Sequence, residues 1–89
     1  MNCVHIIVTG RVQGVYFRAY TQKQAVKLNL NGFVRNLPNG NVEIVACGEA
    51  SALQNLLAWC HKGPLLARVN EVIVTESSET ESFSGFEIR

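Results

Sequence analysis

The order of the predicted elements indicates an α+β sandwich, with two helices on one face of a mixed, mainly antiparallel sheet. Two observations predict this class. Short runs rich in β-branched residues alternate with two segments whose apolar residues recur every three or four positions. A five-residue turn separates the two middle runs, which makes them antiparallel neighbours. The 89 residues are 47% hydrophobic and 17% charged, so we expect one folded domain over residues 1–89.

The first strand is predicted over Cys3–Thr9, where alternate residues line the two faces of the sheet. A helix follows over about Phe17 to Leu28, since its apolar residues fall at helical spacing between polar ones. The predicted inner stripe of that helix is Phe17, Thr21, Ala25 and Leu28. Asn29–Gly32 supplies the stop signal.

The two middle strands form a predicted hairpin. They run over Gly32–Asn36 and Val42–Cys47, with the turn Leu37–Asn41 between them. The turn contains an early proline and an Asn-Gly pair that accepts positive φ angles.

The second helix carries start and stop signals. Ser51 and Gln54 have the spacing of a capping box, so we expect the helix to begin there. Gly63-Pro64 ends it. Its predicted buried stripe is Leu53, Leu56, Leu57 and Cys60.

A fourth strand over Val69–Thr75, a polar loop over Glu76–Ser82 and a short terminal strand over Phe83–Ile88 complete the chain. The resulting β-α-β-β-α-β order is the ferredoxin-like arrangement, with the main strands in spatial order 4-1-3-2. In this topology the first two strands are parallel. The segment after the first strand should therefore lie near Asn36, at the end of the second.

The segment Gly10–Arg18 has the features of an anion site. Gly10 and Gly14 let the backbone bend so that successive N–H groups converge. The helix that follows adds free N–H donors and a positive dipole end. Arg18 adds a planar, forked cation suited to phosphate oxygens. We therefore predict a phosphate pocket here.

Three cysteines, Cys3, Cys47 and Cys60, match no zinc-ligand spacing. Cys3 and Cys47 should face the same side of adjacent strands, which allows a disulfide if their Cα atoms approach within about 7 Å. Reduced thiols are the alternative in a reducing compartment. Both states are open from the sequence, whereas Cys60 is expected in the core.

Composition argues against several partners. The net charge is +1 and the basic residues do not cluster, so nucleic-acid binding is not expected. No apolar run approaches the roughly 20 residues that cross a bilayer, and the N-terminus lacks the pattern of a secretion signal. We expect a cytoplasmic monomer that contacts neither membrane nor nucleic acid.

Four segments closely resemble the acylphosphatase family, and the match runs from the first strand to the end of the chain. They are Gly10–Arg18 (GRVQGVYFR), Gly32–Asn36 (GFVRN), Gly40–Glu43 (GNVE) and Gly63–Val69 (GPLLARV). The resemblance implies a small hydrolase, without metal or cofactor, that cleaves acyl phosphates to carboxylate and phosphate. It makes Arg18 the phosphate-binding arginine and Asn36 the residue that positions water. Tyr16 stands where the family accepts glycine or an aromatic residue, and Phe33 where tryptophan is common.

The chemistry of the residues agrees with these roles. An acyl phosphate has a weakly basic leaving group, so a site must mainly hold the phosphoryl oxygens and aim a water in line. The predicted phosphate donors are the backbone N–H groups of Gln13, Gly14, Val15, Tyr16, Phe17 and Arg18, together with the Arg18 guanidinium. The alternative is a non-catalytic module of the same fold that binds phosphate or carbamoyl phosphate. An RNA-binding sheet needs aromatic residues on the central strands, and these strands offer none.

Overall fold

The computed structural model describes residues 2–77 and 82–89, and its elements follow the predicted order. The elements are β1 (Asn2–Arg11), α1 (Phe17–Lys27), β2 (Asn31–Asn36), β3 (Val42–Gly48), α2 (Ala50–Lys62), β4 (Arg68–Glu76) and β5 (Phe86–Ile88). Most of the polar loop predicted over Glu76–Ser82 lies outside the described residues, and Glu76 itself ends β4.

The sheet has the strand order β4-β1-β3-β2-β5. The predicted order 4-1-3-2 of the main strands is confirmed, and the short terminal strand pairs in parallel with β2 at the edge. The remaining neighbours are antiparallel. The chain is therefore the predicted ferredoxin-like sandwich, with two helices on a mixed sheet of five strands.

The core lies between the helices and the inner face of the sheet. From the sheet it takes Ile6, Val8, Val34, Ile44 and Ala46, and from the helices Phe17, Ala25, Leu53, Leu56 and Cys60. The rings of Phe17 and Trp59 lie 5.3 Å apart and join the start of α1 to the end of α2. The two predicted helical stripes are thus the buried ones, with Leu28 and Leu57 packed at their margins.

The outer face of the sheet is more covered than its lack of helices suggests. Phe33, Val45 and Cys47 lie on this face, and each is less than a tenth exposed. The chain end provides part of the cover, because the Phe83 ring lies 6.0 Å from the Phe33 ring and the Arg89 guanidinium lies 4.3 Å above it.

The predicted capping box of α2 is wrong. The residue before the helix is Glu49, with extended backbone, and its carbonyl already accepts a hydrogen bond from the N–H of Leu53 at 3.0 Å. Ser51 is therefore inside the first turn, two residues beyond the position from which its hydroxyl could cap. Gly63 does end the helix, as predicted, with a φ of 67° and its N–H bonded to the carbonyl of Trp59.

The pairing register places the ends of β1 and β2 at the same edge of the sheet. Val8 of β1 and Asn36 of β2 both pair with Val42, on opposite sides of β3. The chain leaves β1 only three residues after Val8, at Arg11. The segment that follows β1 and the side chain of Asn36 therefore meet at this edge, as the topology predicted.

Cys3 and Cys47 are directly opposite each other on β1 and β3 and form a disulfide, with their Cα atoms 4.0 Å apart. Of the two states that the sequence left open, the structure contains the bridged one. Cys60 is a free thiol in the core, and burial raises its pKa to about 12.

Candidate active site

The segment between β1 and α1, which we call the anion loop (residues 12–16), has the backbone of an anion nest. Gly14 and Tyr16 both take left-handed conformations, with φ angles of 74° and 65°. Glycine adopts this conformation easily, but it is uncommon for a bulky residue such as tyrosine. Left-handed residues within a turn direct neighbouring N–H groups toward one point. Among the described residues, the N–H groups of 13–18 donate to no other backbone group.

The start of α1 reinforces this loop. The helix begins at Phe17, directly after Tyr16, and no acidic residue lies in its first turn. Its first N–H groups have no acceptor within the helix, and the positive end of the helix dipole is not offset by a carboxylate. The loop and the helix start together form an electropositive concave surface.

Arg18 projects from the first turn of α1 into a cavity of about 370 Å³ at this edge of the sheet. Its guanidinium forms no ion pair or hydrogen bond with any residue that the structure describes. Arg35 differs, because its Nε binds the carboxylate of Glu43. The Arg18 guanidinium is thus a partly buried cation without a protein counterion in the described part of the chain.

Asn36 lines the same cavity from the end of β2. Its Oδ1 is buried and has no hydrogen-bond partner among the described residues. Leaving a buried polar atom unpaired costs about 1–3 kcal/mol, and such atoms are retained mainly where they serve a function. The Asn36 amide thus has unused hydrogen-bonding capacity at the edge of the cavity.

The structure brings together five of the predicted site residues around this cavity: Gly14, Tyr16, Phe17, Arg18 and Asn36. It does not bring the side chains of Gln13 and Val15 there. Val15 is 3% exposed and packs in the core. The prediction for these two residues concerns their backbone N–H groups, and it stays a prediction.

The Gln13 side chain lies against the β2–β3 turn and does not line the cavity. Its Nε2 donates to the carbonyls of Leu37 and Asn41, both at 2.8 Å. Those carbonyls belong to the β2–β3 turn, immediately after Asn36. Gln13 therefore connects the anion loop to the segment that carries Asn36.

Three further residues line the cavity and were not predicted: Val12, Ala19 and Ile88. Val12 and Ala19 flank the predicted phosphate donors, Gln13 to Arg18, so their places follow from the course of that segment. Ile88 comes from β5, which the sequence predicts as a strand without indicating its neighbour. The parallel pairing of β5 with β2 brings Ile88 beside the site, and Gln22 of α1 holds this strand through the carbonyl of Phe86 at 2.9 Å.

The lining of this cavity contains one cation and no carboxylate. Within residues 2–77 and 82–89, no three His, Cys, Asp or Glu side chains lie close enough together to hold a metal ion. Neither helix in the described part of the chain has the length and apolarity needed to cross a membrane.

Comparison with known proteins places the chain in a family. The family model described as Acylphosphatase matches residues 4–88. The chain belongs to the acylphosphatase family. This match confirms the family predicted from the sequence. The function of the family is the hydrolysis of acyl phosphates.

Relatives of similar length support the assignment. An acylphosphatase from Methylococcus capsulatus is 50% identical over 88 residues, which cover 99% of this chain and 96% of the relative. One from Marinobacter nauticus is 51% identical, covering 97% and 94%. The crystal structure of acylphosphatase from Bacillus subtilis aligns with a TM-score of 0.95 at 42% identity, covering 100% of this chain and 99% of that one.

Proposed function

We propose that this chain is an acylphosphatase whose anion loop and Arg18 hold the phosphoryl group while Asn36 orients the attacking water. One observation carries the proposal. Arg18, whose guanidinium is unpaired among the described residues, and Asn36, whose Oδ1 is buried and unpartnered, line a single cavity beside the anion loop. The substrates are small acyl phosphates, and neither a metal ion nor a cofactor takes part.

Phosphate binding depends on donors that are fixed before substrate arrives. The backbone N–H groups of Gln13 to Arg18 surround the phosphoryl oxygens, and the Arg18 guanidinium donates two parallel, charge-assisted hydrogen bonds. Negative charge on these oxygens develops in the transition state, where preorganised donors stabilise it most. The helix dipole adds to this field.

Asn36 acts on the nucleophile. A water that donates a hydrogen bond to Asn36 Oδ1 is held against the phosphorus, on the side opposite the acyl oxygen. The water oxygen forms the new P–O bond as the bond between phosphorus and the acyl oxygen breaks, and the electron pair leaves with the carboxylate. Asparagine is not a base at neutral pH, so the proton of the water passes to a phosphate oxygen.

The leaving group explains why the site needs no general acid. A carboxylate is the conjugate base of an acid with a pKa of about 4 and leaves without protonation. An alkoxide is far more basic and needs a proton donor. We therefore expect hydrolysis of acetyl and benzoyl phosphate, and no hydrolysis of glycerol phosphate.

Phosphate release from benzoyl phosphate, with EDTA present throughout, tests the reaction and the role of Arg18. Arg18→Ala should lower kcat/KM at least about 100-fold and weaken competition by inorganic phosphate, since it removes charge-assisted donors. Arg35→Ala is the matched control, because Arg35 binds Glu43 and does not line the cavity. Loss of activity in EDTA would refute the metal-free reaction.

The variant Asn36→Ala distinguishes orientation of the attacking water from binding of the phosphoryl group. We expect kcat to fall about 100-fold while the inhibition constant for inorganic phosphate stays within about threefold. Asn31→Ala, at the other end of β2, should retain activity. Undiminished hydrolysis by Asn36→Ala would contradict its role. Phosphate binding by the unaltered chain without any hydrolysis would favour the binding module instead.

The cytoplasmic location and the monomeric state expected from the sequence are also proposals. Cell fractionation and gel filtration test them.

A further inference from the structure

We propose that a groove beside the phosphate cavity binds the acyl group and makes the enzyme favour acyl phosphates with flat, aromatic acyl groups. This inference rests on the function proposed above and names the substrate class. The groove is lined by Tyr16, Ala19, Tyr20 and Lys23 and has a volume of about 290 Å³.

The groove adjoins the phosphate cavity. Tyr16 and Ala19 line both spaces, so they form a shared wall between the anion loop and the outer surface of α1. In an acyl phosphate, a single oxygen separates the phosphorus from the carbonyl carbon. A phosphoryl group held by the loop therefore places the acyl group at the mouth of the cavity, next to this wall.

Packing explains neither the exposed side chain of Tyr16 nor its left-handed backbone conformation. Its side chain is 71% exposed, and its φ of 65° lies in the left-handed region that favours glycine. A glycine there would remove the strain without loss of core contacts. Strained residues concentrate at functional sites, and an exposed ring at the cavity mouth is suited to contact a ligand.

Tyr20 extends this aromatic surface by one helical turn. It is 46% exposed, and its N–H donates to the carbonyl of Tyr16 at 3.1 Å, which fixes the spacing of the two residues. Ala19 between them has only a methyl side chain, so it leaves room above the helix. Two rings around a small residue form a site for a planar group, which gains from stacked or edge-to-face contacts.

Lys23 places a cation one turn beyond Tyr20. The side chain forms no ion pair with the residues that the structure describes. It is therefore able to pair with a carboxylate on the far side of an aromatic acyl group.

The ratio of kcat/KM for benzoyl phosphate to that for acetyl phosphate tests the aromatic contact. Tyr20→Ala should lower this ratio roughly 3- to 10-fold, the range expected for loss of one aromatic contact. Tyr20→Phe keeps the ring and should keep the ratio within about twofold. Val26→Ala, an exposed apolar residue of the same helix outside the groove, is the matched control.

The ratio of kcat/KM for 4-carboxybenzoyl phosphate to that for benzoyl phosphate tests the role of the Lys23 ammonium group. Lys23→Gln should lower this ratio about 2- to 4-fold at low salt, and high salt should remove the difference. Lys27→Gln, one turn further along α1, should leave it unchanged.

The outcomes separate this inference from the function on which it rests. If the unaltered chain hydrolyses neither acetyl nor benzoyl phosphate, the proposed function fails. If it hydrolyses both and Tyr20→Ala leaves their ratio unchanged, the aromatic site is wrong and the function stands. If Lys23→Gln leaves the ratio of kcat/KM for 4-carboxybenzoyl phosphate to that for benzoyl phosphate unchanged, the role of Lys23 is wrong and the aromatic site stands.

Discussion

The side chain of Gln13 joins the two parts of the candidate site. It leaves the anion loop and donates to two carbonyls of the turn that follows Asn36. The loop that we propose to hold phosphate and the strand end that we propose to position water are thereby held in a fixed relative position. This pair of hydrogen bonds gives the Gln13 side chain a structural role in a loop whose proposed phosphate contacts come from backbone N–H groups.

Substitution of Gln13 should therefore reduce turnover through Asn36. Gln13→Ala removes both hydrogen bonds, and we expect kcat to fall about 10-fold, because small errors in the position of reacting groups are costly. Inhibition by inorganic phosphate should change less than kcat. Asn39→Ala is the control, since it removes a bond within the turn, from Asn41 N–H to Asn39 Oδ1, without touching the loop. Equal losses in the two variants would contradict this role.

At the residue scale, the sequence predicts which residues meet at one cavity better than it predicts the orientations of their side chains. Arg18 and Asn36 line one cavity because strand topology brings their segments to one edge. The orientation of Gln13 could not be predicted, because it depends on the carbonyl positions of a turn 24 residues away. Val15, between the left-handed residues Gly14 and Tyr16, is buried in the core, and its apolar side chain gains from that burial.

At the scale of the elements, one charged cluster joins three strands on the outer face of the sheet. Glu43 of β3 binds His5 of β1 at 2.9 Å and Arg35 of β2. Partial burial raises the pKa of Glu43, but the hydrogen bonds from His5 and Arg35 outweigh this effect, and the pKa lies below its ordinary value of 4.5. Lateral contacts of this kind stabilise neighbouring strands.

The stability of the sheet should therefore depend on pH through Glu43. A carboxyl with a lowered folded-state pKa stabilises the protein above its unfolded pKa, and this contribution is lost as the pH falls through the folded value. We expect Glu43→Gln to lower the urea midpoint more at pH 7 than at pH 3. Glu71→Gln, an exposed residue of β4, is the control. An equal effect of Glu43→Gln at both pH values would show that its ionisation is irrelevant.

The elements themselves were predicted closely, because their periodic patterns and turn signals are local. The start of α2 was wrong because its signal was ambiguous: Ser51 and Gln54 have the right spacing, yet the helix begins at Ala50. The outer cover of β2 and β3 was not predicted either. It depends on Phe83 and Arg89, which are distant in sequence from the strands that they cover.

At the scale of the whole molecule, the topology was predictable because few arrangements satisfy the element order and its connection rules. The state of Cys3 and Cys47 was not, because topology places two thiols together without fixing their oxidation. The bridge in the structure closes a segment with a sequence separation of 44. In the chain-entropy account, a loop of that length stabilises the folded state by about 4 kcal/mol.

Thiol titration checks this bridge. In denaturant without reductant we expect one reactive thiol, that of Cys60, and three after reduction. In the folded protein Cys60 should react slowly, because it is buried and its thiol is protonated at neutral pH. Reduction should also lower the urea midpoint, and a Cys3→Ala/Cys47→Ala variant should match the reduced protein. Three thiols before reduction would refute the bridge.

The closed segment between Cys3 and Cys47 contains both halves of the candidate site, the anion loop with Arg18 and the strand end with Asn36. A protease that cuts once within it, for example in the exposed part of the turn at Pro38–Gly40, leaves two pieces of one covalent molecule. The fragments cannot separate until the bridge is also reduced. The oxidised chain is thus protected against loss of either fragment after a single cut, and the fragments separate only when cleavage and reduction occur together.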